Sequence, residues 1–381
     1  MSEKILHINM VPRDLLFCRD ARPMDGTWSG SGGFLPAPAT FHGAVVAEYC
    51  RRYPEELNAK YSEKLTSGLR TVGPFLSKGD EVFFTTPLDI APDGKLLRLQ
   101  KLEGQSDLPA MLEYALFASG ATKETIQPYI SCENFRKYLA GENFKAEAES
   151  TFFCRESRPG ITINPQNRTA EESKFYDAQY LRLADGVSLV GDIIMNCENE
   201  LDNLFTPEHQ TMLLGGQQSL VYVTPNMNKK ISLPQVEITG NLVKYVLLTP
   251  SAFLNGWQPD FVDSNGTVRL LAASGTLPER QPGETRAEYR KRIVRIPIEA
   301  KLIAARVGKP HIVSGWKLAN DGGGSPRATR LFVPAGSVYY FEAKDREHAR
   351  MLANSLHGRP YSAFGVRTGF GIGVCGNFSI N

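Results

Sequence analysis

The chain lacks nearly every signature of covalent or metal chemistry. Its six cysteines (Cys18, Cys50, Cys132, Cys154, Cys197 and Cys375) form no C-x-x-C pair, and no histidine stands at zinc-ligand spacing from a second cysteine. That excludes a zinc ribbon and a dithiol redox motif. Single scattered thiols in 381 residues read instead as buried side chains of a reducing compartment. No apolar stretch exceeds strand length, and no basic n-region leads an apolar h-region, so neither a membrane span nor a signal peptide is expected and the expected location is cytoplasmic. A G-x-S-x-G elbow, a P-loop, a His–Asp dyad and a Gly-Gly-Asp-Asp turn are all missing, and the six histidines are spread singly. No metal or cofactor is expected. Excess charge is also absent: 43 Lys and Arg against 41 Asp and Glu give a net charge of +2. This excludes a polybasic protein but leaves room for a local basic groove.

What is present is enough apolar residue, 42% against 22% charged, to bury a sizeable core. The length fits two domains. Ile5–Val11 alternates as a strand, and a glycine-rich loop over Asp20–Ala37 follows. Thr40 then reads as the N-cap of a helix over Phe41–Arg52. Asp80–Ile90 and Lys95–Leu102 flank Pro92-Asp93-Gly94 as a hairpin. Leu108–Ser119 and Cys132–Ala140 have the spacing of short amphipathic helices. Thr151–Arg155 and Gly160–Ile163 flank a turn, and Tyr180–Leu183 with Val187–Ile194 reads as a further hairpin. Between these, Asn164–Asp177 is polar, either a projecting arm or an ordinary surface loop. Thr224–Thr239 has the composition of a linker. Strands are expected from Val243 onward, with a charged helix at Gln281–Lys291 and another helix at Asp345–Leu356. Both halves begin with a strand and mix helices with antiparallel hairpins, which favours α+β over doubly wound α/β. The expectation is two ferredoxin-like (RRM-related) domains with insertions, residues 1–224 and 240–381, the first carrying inserted helices and a β-hairpin arm and the second ending in a glycine-rich loop.

Three features point to an acidic polymer as ligand. The tail from Gly365 to Gly376 places Gly371, Gly373 and Gly376 in a G-x-G-x-x-G pattern with no room for the helix a dinucleotide fold needs. What remains is a backbone-only loop suited to approach a phosphate chain, with Arg367 adding charge; the alternative is a tight packing turn. In Phe17-Cys18-Arg19-Asp20-Ala21-Arg22-Pro23, Arg19 and Arg22 offer planar forks for phosphate, or else pair with Asp20 to fix the loop. Residues 279–330 hold twelve Lys and Arg against five Asp and Glu, a net of +7. Such a stretch in a balanced chain is a nucleic-acid footprint, with a solvated helix face as the alternative for Arg286–Arg292. His42, beside the glycine loop, is the one candidate general base, although a lone histidine at a helix start is more often structural.

These motifs, in chain order, resemble the repeat-associated (RAMP) proteins of CRISPR effector complexes, and among them the Cmr-type (type III-B) subunit at the 5′ handle of the guide RNA. The likeness is carried by Phe17–Pro23, by Pro36-x-Pro38-x-Thr40-x-x-Gly43-Ala44, and by Arg158-Pro159-Gly160-Ile161 through Arg168-Thr169 to Tyr176. Leu214-Gly215-Gly216, Gly315-Trp316 with Val333–Phe341, and the glycine tail complete it. After the glycine pair the family tends to carry an acidic residue and then an arginine, where Gln217-Gln218-Ser219 stand here. The resemblance implies a non-catalytic subunit of the RNA-guided ribonucleoprotein. It would hold the repeat-derived handle of the crRNA and bridge the large polymerase-like subunit to the backbone subunits. The RNA-binding residues it implies are Arg19, Arg22, Trp28, Thr40, His42, Arg158, Arg168, Gly215, Gly216, Arg327, Arg330, Arg367, Gly369, Phe370, Gly371 and Gly373. Trp28, Phe34 and Phe370 are the expected base stackers. Two other readings stand beside this one. In the first, a metal-independent endoribonuclease matures the guide precursor with His42 as base. In the second, a purely structural bridge makes only protein contacts.

Overall fold

A computed structural model describes residues 3–19, 32–53, 68–103, 107–118, 120, 125–164, 166–195, 203–273, 278–279, 281, 283–318 and 324–380. The first half runs β1 (Lys4–Pro12), α1 (Pro38–Arg52), β2 (Arg70–Lys78), β3 (Glu81–Thr85), β4 (Arg98–Lys101), β5 (Tyr114–Phe117), β6 (Tyr129–Ser131) and α2 (Cys132–Ala140). It continues through β7 (Ala146–Glu147), β8 (Phe153–Ile163), β9 (Ala170–Leu183), β10 (Val187–Met195), β11 (Thr211–Leu213) and β12 (Leu220–Asn226). The second half runs β13 (Leu242–Leu247), β14 (Leu271–Ala273), α3 (Arg286–Arg292), β15 (Arg295–Pro297), β16 (Ala300–Arg306), β17 (His311–Val313) and β18 (Trp316–Leu318). It ends with β19 (Gly324–Pro326), β20 (Arg330–Phe332), β21 (Val338–Ala343), α4 (Arg346–Leu356) and β22 (Gly373–Asn377).

Two antiparallel sheets organise these elements. Eight strands lie in the order β11-β12-β1-β10-β2-β3-β6-β7, and four in the order β16-β21-β13-β22. The larger sheet draws its strands from residues 4–226 and the smaller from 242–377. The run β12-β1-β10-β2 repeats the order β22-β13-β21-β16, with the unit's first strand flanked by its third and fourth. Mixed strands and few helices make an α+β chain.

Local chemistry explains the elements. In β1, Leu6, Ile8 and Met10 alternate onto one buried face, where α1 lays Phe41, Val45 and Tyr49 at four-residue spacing. Helix α1 starts before Thr40: Ala37 is the extended N-cap and Pro38 occupies the first turn, so Thr40 donates its N–H to the Ala37 carbonyl (2.9 Å) instead of capping. Proline's fixed φ sets this start. On α4 the Asp345 carboxylate caps the His348 N–H at 2.9 Å, and Ala349, Leu352 and Leu356 are buried. Strand β13 is buried on both faces. Val243, Tyr245 and Leu247 join the core under α4, while Val246 and Leu248 meet Phe75, Phe84, Phe135 and Ile130 of the first half. The smaller sheet is thus a middle layer.

Several expected elements pair differently. Residues 108–118 hold strand β5 where a helix was expected, because Leu116 pairs across from Leu99 of β4. The turn at Pro92–Gly94 is closed by the Ile90–Leu96 bridge alone, while β3 pairs with β2 and β6. Strands β9 and β10 do not pair: β9 pairs with β8, and β10 lies between β1 and β2. Thr151–Arg155 and Gly160–Ile163 fall largely in one unbroken strand, β8. Turn residues announce a reversal, but tertiary packing chooses the partner. The linker region also packs down: Ile231 and Ile238 are buried, and the Ile231 N–H donates to Asp192 Oδ2 at 2.9 Å.

Where the two halves meet, a charged network is sealed in. Lys244 of β13, Asp89, Tyr138 of α2 and Tyr340 of β21 are each 0–2% exposed. Lys244 Nζ donates to the Tyr138 carbonyl at 2.9 Å and sits 3.5 Å from the centroid of that ring. The Tyr138 hydroxyl donates to Asp89 at 2.8 Å, and the Tyr340 hydroxyl at 2.6 Å. Burial pulls Lys244 down to about 8 from its usual 10.5, with Asp89 opposing.

Two outcomes follow. Asp89→Ala strands the ammonium and two phenols in a sealed core, and should cost about 3–5 kcal/mol by urea unfolding at neutral pH. For Lys244, the unfolded chain binds the extra proton between its folded and usual pKa, so this group adds stability as pH rises through about 8 to 10.5. The stability difference between wild type and Lys244→Met should therefore shift in favour of wild type across that window; a constant difference would contradict it.

Candidate nucleic-acid interface

The fold gathers the expected site residues into two groups. The first forms where the glycine tail docks on α1 and β2. Gly365, Gly369 and Gly371 hold left-handed φ values of 72°, 91° and 79° around a 3₁₀ turn at Val366–Thr368. This turn lays Gly369 against the Thr71 and Gly73 carbonyls and against Pro38, so the tail closes over the start of α1, where Thr40 and His42 stand. His42 Nδ1 lies 3.2 Å from Thr71 Oγ1. Burial pushes His42 down to about 4, so it is neutral at neutral pH. Arg367 is exposed on the turn. Arg330, at the start of β20, sets its guanidinium 3.5 Å over the Phe364 ring beside the loop. Arg327 is exposed just ahead of it, its backbone N–H donating to the Gly315 carbonyl at 2.8 Å.

Here two expectations need correction. Phe370 is no stacking platform: its ring is 2% exposed and packs 4.7 Å from Phe332. Nor does Gly371 present an open N–H group. Gly371 donates to the Pro250 carbonyl at 2.8 Å, and a Cβ on it would strike the Tyr361 carbonyl. A Cβ on Gly373 would enter the Tyr245 ring. In this part of the tail, close backbone approach is to the protein's own core.

The second group surrounds Phe17–Arg19. The Gly216 N–H donates to the Phe17 carbonyl at 2.7 Å, and a Cβ on Gly215 would come within 2.6 Å of that oxygen. Gln217 and Gln218 continue the turn with φ of 54° and 53°, and Ser219 Oγ accepts the Phe17 N–H at 3.2 Å. The Phe17 and Tyr180 rings stand 4.9 Å apart, and the Arg158 guanidinium lies 5.2 Å over Tyr180. Asp14 lies 3.8 Å from Arg158 and 3.1 Å from Arg182. Phe34, 41% exposed, donates its N–H to Cys18. Arg19 is exposed. Arg22, Trp28 and the Asp20 partner expected for Arg19 lie outside the described residues.

From this root the β8–β9 hairpin extends, about 36 Å for eleven residues. Residues 164 and 166–169 lie at its tip, where the Asn164 N–H donates to the Thr169 carbonyl (2.9 Å) and Arg168 has a φ of 56° and is exposed. Ile161 and Ile163 are 53% and 58% exposed near the tip. Of the two readings of Asn164–Asp177, the arm is the observed one. Gly33 contacts Arg155 at the root and Pro38 contacts Gly369 of the first group, so these two anchor Cα atoms are at most about 18 Å apart.

The basic stretch 279–330 is partly paired. Arg292 pairs with Glu284 and Lys301 with Glu113, each at 2.6 Å, which neutralises part of its excess. Sequence reasoning missed Tyr180 and Phe364, the rings that hold Arg158 and Arg330, and the Lys244 network. The one signal for the latter was a lysine inside the apolar run Leu242–Leu247. Among the described residues no cluster of three or more His, Cys, Asp or Glu could hold a metal, and no helix is long and apolar enough to cross a membrane.

Glycine substitutions separate packing from ligand approach. Gly371→Ala joins a left-handed φ to a backbone clash and should lower stability by about 3 kcal/mol. Gly43, on α1 with open space around its would-be Cβ, should gain up to about 1 kcal/mol as alanine. Thermal and urea unfolding read both. A Gly371→Ala chain as stable as wild type would return the tail to a ligand-facing role.

No curated protein matches the chain in sequence. Among solved structures, it is similar to a chain of the Type III-B Cmr-beta bound to cognate target RNA and AMPPnP, with 13% identity, 91% of this chain and 88% of that chain covered, and a TM-score of 0.48. It is also similar to a chain of the Csm3-Csm4 subcomplex in the type III-A CRISPR-Cas interference complex, with 10% identity, 88% and 92% covered, and a TM-score of 0.40. The family described as CRISPR-associated protein (Cas_Cmr3) matches residues 8–377, nearly the whole length. The chain belongs to this Cmr-type family of CRISPR-associated proteins, the branch its ordered motifs resemble.

Proposed function

We propose that this protein is a non-catalytic subunit of a type III-B CRISPR effector complex in the cytoplasm, one that holds the 5′ repeat-derived handle of the crRNA. In this role it joins the large polymerase-like subunit to a backbone subunit. The observation that carries the reading is the family match over residues 8–377. Geometry adds exposed arginines set beside rings at two neighbouring places, Arg158 on Tyr180 and Arg330 on Phe364, with Arg367 close to the second. A guanidinium plane seated on an aromatic ring offers a stacking surface together with a fork that suits phosphate. The shared strand order of the two sheets supports two ferredoxin-like units, the first enlarged by an insertion between β2 and β10 that carries the arm.

The endoribonuclease reading loses support at His42. A general base works best with a pKa near the operating pH, and one held at about 4 is a weak proton acceptor.

Handle RNA should bind with a strong inverse dependence on salt. Arg158→Ala and Arg367→Gln should each lower the slope of log affinity against log salt by about one unit while the protein stays folded. Handle affinity insensitive to salt would favour the purely structural bridge. Cleavage of labelled precursor RNA that resists EDTA and is lost in His42→Ala would overturn the non-catalytic reading.

A further inference from the structure

The hairpin that joins β11 to β12 turns on two residues its geometry disfavours. Leu213 pairs with Leu220, and the Leu214 N–H donates to the Ser219 carbonyl at 2.9 Å. The reversal runs over Gly216–Ser219 and is closed by the Ser219 N–H on the Gly216 carbonyl at 3.2 Å. Its two central residues, Gln217 and Gln218, both hold left-handed φ values, 54° and 53°. Two positive φ values in succession mark a type I′ turn, whose usual occupants are Asn, Asp and Gly. A long side chain there crowds its own backbone, and glycine would hold the same turn without that cost. Arg168 is the one other non-glycine residue with a positive φ among the described residues.

The protein's own packing gives no reason for glutamine at either position. Both residues are exposed, and neither carboxamide has a hydrogen-bond partner among the described residues. Their place is nevertheless fixed. The Gly216 N–H donates to the Phe17 carbonyl at 2.7 Å, and Ser219 Oγ accepts the Phe17 N–H at 3.2 Å. The Phe17 ring stands 4.9 Å from Tyr180, over which the Arg158 guanidinium lies. Strained residues held in place by their surroundings are a feature of ligand clamps. The chemistry of the clamp is that of an amide. A carboxamide sets donor and acceptor side by side, the complement of the adenine edge that carries the N6 amine and N7. A phosphate, which offers acceptors alone, would leave the amide oxygen unused.

We propose that Gln217 and Gln218 are base-reading residues that select an unpaired adenine in RNA bound beside Tyr180 and Arg158. The proposal rests on the RNA-binding reading and adds base selectivity to it.

Fluorescence anisotropy of the full chain with short single-stranded oligo(A), oligo(U) and oligo(C) of equal length tests it. The wild type should bind oligo(A) about tenfold more tightly than the other two, the scale of one two-bond base contact. The double variant Gln217→Gly with Gln218→Gly should bind all three within about twofold of one another, and should melt at or above the wild-type temperature because glycine relieves the turn. A preference that survives in the double variant, a wild type that binds the three alike or favours oligo(U) or oligo(C), or a double variant that melts below wild type overturns the proposal. Salt-dependent binding without base preference sinks the glutamine assignment alone; absence of salt-dependent binding to any of the three sinks the RNA-binding reading with it.

Discussion

The buried network of Lys244, Asp89, Tyr138 and Tyr340 is the constraint on which the arrangement of the two halves depends. Its members come from both: Asp89 and Tyr138 from the first, Lys244 and Tyr340 from the second. A charge taken out of water is tolerated only with its partners in place, so few relative positions of the halves satisfy this network. Apolar packing of β13 against Phe84 and Phe135 supplies adhesion without direction. The polar network supplies direction, because hydrogen bonds demand angles as well as distances.

That orientation decides what the glycine tail can do. With the smaller sheet fixed as a middle layer, the turn at 365–371 falls on β2 and on the first turn of α1. The glycines are there because two backbones and an aromatic ring must fit where side chains would not. The same docking brings Arg367 and Arg330 close to Thr40 and His42, residues separated from them by some three hundred positions. A segment that looks built for a ligand is built first for assembly, and its outer edge is what remains for recognition.

The surface chemistry follows from where the arginines sit. Arg158 and Arg330 rest on rings, Arg158 also within 3.8 Å of Asp14, whereas Arg292 and Lys301 pair with carboxylates at 2.6 Å. Net charge over a stretch of sequence therefore overstates its field, since pairing partners such as Glu113 arrive from elsewhere in the chain.

Much was legible before any coordinates. Alternation marked β1, and apolar residues at helical spacing marked α1 and α2, because these signals are local and their hydrogen bonds close within a few residues. The ordered motifs likewise pointed to the family. What the sequence could not contain was partnership. Whether Leu116 turns in a helix or pairs with Leu99, whether β9 joins β10 or β8, and whether Phe370 faces solvent or Phe332 depend on contacts between distant residues. A lysine in an apolar run was visible as an anomaly. Only the tertiary structure, by bringing Asp89 and two tyrosines around it, made it a satisfied charge, because the energy of a buried ion belongs to its surroundings and not to the residue.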